Sequence, residues 1–183
     1  MALIRRRSML AAGATLMAAG APRKPFAREL PDLAEVLVPV TPPKDPPDGV
    51  FQDANGAEHR LSEFRGHGMV INFWATWCQP CIAEIPSLAA LAKALAPHDI
   101  AVLPLSTDRG GAKAVTSWFA GHDVTGLPVL IDPHGALAEA WGTNGIPTTH
   151  IIGRDGKERA RMDGAADWST DMAIALIRKV IEG

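Results

Sequence analysis

Two cysteines, no tyrosine and only five tryptophans and five phenylalanines stand among the 183 residues of this chain. Two thiols cannot build a fold stapled by several disulfides. Nor can they complete a structural zinc site, which takes four ligands, and the six histidines are scattered without a His-x₃-His-like spacing that would supply the rest. No metal is therefore assigned. No basic patch and no interleaving of aromatic with basic residues is present, so nucleic acid is not an expected partner. The N-terminal apolar run ends near Ala21 after roughly 14 residues, short of the ~20 that a spanning helix needs.

Acid is missing from one region altogether. Residues 1–27 carry Arg5, Arg6, Arg7, Arg23 and Lys24 with no carboxylate among them. Setting those five aside leaves thirteen basic against twenty acidic residues, so the remainder carries a net charge of about −7 that the whole-chain value of −2 conceals. A basic stretch, a short apolar segment and small residues together make an export signal. Arg6-Arg7-Ser8-Met9-Leu10 resembles a twin-arginine signal, although Arg5 stands where Ser or Thr is usual. Ala19-Gly20-Ala21 offers a cleavage site and Ala27 a later one. The periplasm is the expected location, with an uncleaved tether to the inner membrane left open. Residues 22–47 then hold eight of the fifteen prolines, which reads as an extended linker with room for a short helix over Asp32–Leu37. The chain thus divides into a signal or anchor (1–27), a Pro-rich linker (28–46) and a folded domain (47–183).

Both cysteines lie in Trp77-Cys78-Gln79-Pro80-Cys81. An apolar run, Met69 to Trp74, precedes them and reads as a buried strand. A helical pattern from about Gln79 to Ala96 follows. At such a turn the first thiol sits at a helix N-terminus, where unpaired N–H groups and the helix dipole favour a thiolate. Cys78 is the expected attacking sulfur, and Cys81, one turn on, the one that closes the disulfide. A purely structural bridge is the poorer reading, because so short a loop closes little chain entropy. Cys81, Glu84, Leu88, Leu91 and Leu95 share one helix face. Glu84 therefore either sits buried beside Cys81, where burial would raise its pKa and let it exchange a proton with that thiol, or leans out to solvent at the stripe's edge. Pro86 is expected to kink the helix.

Phe73-Trp74-Ala75-Thr76-Trp77-Cys78-Gln79-Pro80-Cys81, with Glu84-Ile85-Pro86 and the distant Gly145-Ile146-Pro147-Thr148-Thr149, resembles the TlpA/ResA/CcmG branch of the thioredoxin family. The likeness runs from about Pro47 to the C-terminus. It implies an exported thiol-disulfide oxidoreductase that reduces protein disulfides, with no cofactor beyond the Cys78–Cys81 disulfide. Implied partners are protein thiols and disulfides and a membrane thiol-electron donor, with the chain itself a monomer. Candidate substrates lie in cytochrome c maturation or in copper-site assembly of cytochrome oxidase. The resemblance further implies a cis bond before Pro147, with Trp77, Pro80, Ile146 and Pro147 lining the surface that meets the substrate. Asn72 stands where plain thioredoxins carry a buried acid; it is read as a hydrogen-bonded strand residue without a catalytic task. Two other functions remain open. One is a copper chaperone using both thiolates with help from His134 or His150, and the other is a thiol peroxidase.

The remaining pattern is scaffold. Val50–Gln52 and His59–Leu61 flank the turn dipeptide Asn55-Gly56. Ile100–Leu105 reads as a strand. An insertion over Asp108–Trp141 holds a helix (112–120), a short strand (129–131) and a second helix. Strands follow over Thr148–Ile152 and Lys157–Met162, joined by Asp155-Gly156. A C-terminal helix capped by Ser169 or Thr170 buries Met172, Leu176, Ile177 and Val180. The expected fold is α/β and thioredoxin-like, a mixed central sheet with helices on both faces, an N-terminal hairpin and a central insertion.

Overall fold

A computed structural model of the chain describes residues 30–183; the export segment expected over residues 1–27 lies outside the described residues. The sheet is built on β4 (Gly68–Trp74), every residue of which is buried. That strand has only one strongly polar side chain, Asn72, and its apolar run suits a strand covered on both faces. β5 (Ile100–Ser106) pairs with it in parallel on one side and β7 (Thr148–Ile152) antiparallel on the other. β6 (Leu130–Ile131) extends the parallel side. The hairpin of β2 (Val50–Asp53) and β3 (Glu58–Arg60) closes that edge, with Phe51 opposite His59. β8 (Glu158–Asp163) and β1 (Val38–Lys44) complete the other edge, giving eight strands in the order β1-β8-β7-β4-β5-β6-β2-β3.

Four longer or shorter helices cover the two faces. α2 (Gln79–Leu95), α3 (Gly111–Gly121) and α5 (Asp171–Glu182) pack on one, where Val70, Trp74, Cys81, Leu88, Val115, Phe119 and Ile177 form one core. α4 (Ala136–Ala140) contributes Leu137 and Ala138 to the second core, with Phe51, Ile71, Phe73 and Trp141. Alternation along β4 divides the two: Val70, Asn72 and Trp74 face α2, while Met69, Ile71 and Phe73 face away.

Two expectations need correction. Residues 30–46 are not an extended linker free of the core. Asp32 caps α1 (Leu33–Val36), whose Leu33 is fully buried, and β1 pairs antiparallel with β8. The prolines misled because they are read as sheet-breakers, yet an edge strand has one side on which no N–H is required. β1 holds Pro39, Pro42 and Pro43, which also blunt that edge against a further strand. The C-terminal helix is capped by Thr170, one of the two expected candidates, and buries Ile177 as expected with Leu176 and Val180 half-buried against the core; Met172, however, is 60% exposed, and Ala173 and Ile181 are buried instead. Pro86 lies inside α2, with its ring on the exposed side of the helix.

Candidate active site

β4 ends at Trp74, and the chain turns through Ala75-Thr76-Trp77 before α2 begins. Asp108, just beyond the end of β5, holds this turn. Its carboxylate accepts from the Thr76 amide at 2.8 Å, the Thr76 hydroxyl at 2.7 Å and the Ser106 hydroxyl at 2.7 Å. Three donors on one buried carboxylate leave the turn little freedom. Cys78 occupies the N-cap of α2, and the Cys81 amide donates to Cys78 Sγ over 3.3 Å. That is the place where backbone N–H groups stabilise a thiolate.

Cys78 and Cys81 form a disulfide, Cα to Cα 5.3 Å. The two sulfurs differ in access: Cys78 retains 6% of its surface and Cys81 none. Only Cys78 can be reached from outside. Across from it lies the Ile146 carbonyl oxygen, 3.6 Å from Cys78 Sγ, and the Ile146–Pro147 bond is cis. Trp77 is 66% exposed and Pro80 is also at the surface. Beside Pro147 runs a shallow groove lined by Asn144, Gly145, Ile146, Arg161 and Gly164. The tertiary structure therefore brings Cys78, Cys81, Trp77, Ile146 and Pro147 to one end of the sheet, beyond the C-terminal ends of its parallel strands.

Glu84 is buried, one helical turn after Cys81. Its Oε1 accepts from Asn72 Nδ2 at 2.9 Å, and its Oε2 from Trp168 Nε1 at 2.9 Å and the Ala166 amide at 3.2 Å. Burial pushes its pKa from 4.5 up to about 7; the three hydrogen bonds favour the ionised form and keep the rise from going further. A carboxyl balanced between its two states near neutral pH, next to a thiol that must lose a proton, can act as a base or an acid there. Of the two positions that the helix pattern left open for Glu84, the structure shows the buried one.

Two groups in this site escaped the sequence reading. Trp168, just before α5, was not singled out, yet it donates to Glu84 across 84 residues of chain. No local pattern carries a contact of that separation. Asp108 was missed for the same reason, although an acid following a buried strand beside Thr107 and Gly110 is a weak loop signal. His150 does not reach the disulfide. It is opposite Ile71 in register and bonds Glu158 on the far face of the sheet. His134 sits in an exposed turn before α4. Among the described residues no three His, Cys, Asp or Glu side chains gather as a metal site.

The AhpC/TSA family model matches residues 43–161. The thiol-disulfide oxidoreductase ResA of Geobacillus thermodenitrificans is 34% identical over 118 residues, covering 64% of this chain and 67% of that protein. ResA of Bacillus subtilis is 30% identical over 113 residues, 62% of each. Among solved structures, the exposed lipoprotein thioredoxin Etrx1 of Streptococcus pneumoniae superposes with a TM-score of 0.61 at 28% identity, covering 73% of this chain and 99% of that one. A secreted thiol-disulfide isomerase of Corynebacterium glutamicum shares the fold, with a TM-score of 0.65 at 18% identity over 78% of this chain and 92% of that one.

Proposed function

The chain belongs to the AhpC/TSA family, within the thioredoxin-like thiol-disulfide oxidoreductases, and on that premise we propose that it is an exported reductant of protein disulfides. The observation that carries this reading is the pairing of one reachable sulfur with one sealed sulfur that has a buried carboxyl beside it.

In the reduced protein Cys78 is the thiolate. It attacks one sulfur of a substrate disulfide, forming a mixed disulfide and releasing the other substrate sulfur as a thiolate, which takes a proton from water. Glu84, ionised, accepts the proton of Cys81. The Cys81 thiolate attacks Cys78 Sγ and expels the second substrate thiolate, which is protonated in turn. The Cys78–Cys81 disulfide is the product on the enzyme side, and two electrons from a membrane thiol donor restore the dithiol. The exposed Trp77 and Pro80 and the cis Ile146–Pro147 corner form the surface on which a substrate segment settles, with the Ile146 backbone available for strand-like pairing.

Export through the basic N-terminal segment puts this chemistry in the periplasm, either free or tethered. Cytochrome c maturation and copper-site assembly of cytochrome oxidase both need cysteine pairs reduced in that oxidising compartment. The test is a pair of variants. Cys78→Ser abolishes insulin-disulfide reduction, whereas Cys81→Ser accumulates mixed disulfides that can be captured from cells and identified. Full activity in both single variants overturns the mechanism.

A further inference from the structure

Asn72 was assigned no task by the sequence, and the structure gives it an unusual position. It is fully buried on β4, directly opposite Thr149 of β7 in register. Its Nδ2 donates to Glu84 Oε1 and to Thr149 Oγ1, each at 2.9 Å. Its Oδ1 is buried and has no hydrogen-bond partner among the described residues. An orphaned acceptor in a core is costly and calls for a reason.

The reason lies in what surrounds the amide. Both of its neighbours can change from acceptor to donor. Ionised, Glu84 only accepts, and the NH₂ group serves it. Protonated, Glu84 carries an O–H that needs an acceptor, and a half-turn of the amide about Cβ–Cγ brings Oδ1 to it. Thr149 follows without loss, because its hydroxyl accepts from NH₂ or donates to C=O equally well. Few other side chains could do this. A carboxylate at position 72 would only accept while ionised and would repel Glu84, and an aliphatic residue would do neither.

We infer that Asn72 is a positioning residue for the proton transfer: its amide turns over with each protonation of Glu84 and keeps that side chain hydrogen-bonded in both of its charge states. This rests on the reading of Glu84 as the proton carrier for Cys81. The groups facing Glu84 are few. They are Cys81 on its own helix, the Asn72 amide from β4 and through it Thr149 from β7, and the Ala166 amide and Trp168 indole from the segment before α5. Among the described residues no charged side chain shifts its titration. The one carboxylate in that segment, Asp167, points away, held at the surface by Ser169. Asn72 thus faces no competitor for control of Glu84 from the sheet side.

The test follows the rate of disulfide reduction from pH 5 to 9 in the parent, Asn72→Leu, Glu84→Gln and the double variant. Asn72→Leu removes a donor to the carboxylate, so the inflection belonging to Glu84 moves up by about one pH unit. The double variant follows Glu84→Gln alone. An unmoved inflection in Asn72→Leu overturns the proposal and leaves the reductase reading intact. A parent profile identical to that of Glu84→Gln removes Glu84 itself, and this inference with it. Should Asn72→Leu fail to fold, the side-chain amide resonances of Asn72 in the unmutated oxidised protein decide. They titrate with the midpoint of the Glu84 carboxyl and stop titrating in Glu84→Gln; resonances that stay fixed across that range overturn the proposal.

Discussion

Among the described residues two glutamates are buried, one under each face of the same sheet, and they are held in opposite ways. Glu84 meets three neutral donors and no cation, and burial wins: its pKa rises to about 7. Glu158 on β8 is equally hidden. Burial pushes its pKa up as well, but hydrogen bonds from His150 at 2.8 Å and Trp141 at 3.0 Å, with the charge of Lys44 at 3.7 Å, outweigh that and hold it below 4.5. His150 is itself kept below its ordinary value, chiefly by burial, so it serves as a neutral donor through Nδ1. Burial alone therefore does not decide what a carboxyl does. The one left near neutrality can move a proton beside Cys81. The one fixed as an anion ties β8, β7 and the edge strand β1 to the second core.

The largest test of the contrast is the stability of the oxidised protein against pH. A folded-state pKa of about 7 against an ordinary value of 4.5 means that Glu84 gives its full stability below 4.5 and loses it as pH rises through 7. The loss amounts to about 3 kcal/mol by pH 8. Glu84→Gln abolishes that slope; urea unfolding at pH 5 and pH 8 measures it, and an unchanged slope breaks the comparison on the Glu84 side. Glu158→Gln works in the opposite direction. A depressed pKa contributes stability above the ordinary value and loses it as pH falls through the folded one. The variant is thus about 2 kcal/mol less stable at pH 7, and the deficit shrinks in acid. Insulin reduction per folded molecule stays at the parent rate, since Glu158 lies away from the disulfide. A pH 7 unfolding midpoint equal to the parent's breaks the other half. The smallest effect is that of Lys44→Ala. Its ammonium is largely exposed, so the loss is about 0.5 kcal/mol and disappears at 1 M salt. A larger, salt-resistant loss would show that the cation, rather than the two ring donors, fixes Glu158.

The legible part of the site was the part written within one helix. Cys78, Cys81 and Glu84 lie within seven residues, so α-helical spacing alone put the acid on the same face as the second thiol. The partners of Glu84 were illegible for a physical reason. Asn72, Ala166 and Trp168 come from two other elements, and a hydrogen bond across 84 residues leaves no mark in local periodicity. The fold shows the same division. The buried strand β4, the Asn55-Gly56 hairpin and the insertion helices follow from pattern. β1 does not, because proline spacing looks the same in a linker and in an edge strand until β8 is there to pair with it.

The sequence by itself determined where the thiol chemistry sits: the spacing puts one sulfur at a helix start and its partner one turn on, with an acid on the same face as the second. Only the packed sheet decided which buried carboxyl would be left near neutrality beside that pair. A side chain's proton affinity depends on the solvent it loses and the dipoles and charges it gains, and those are assembled from distant stretches that meet only after folding.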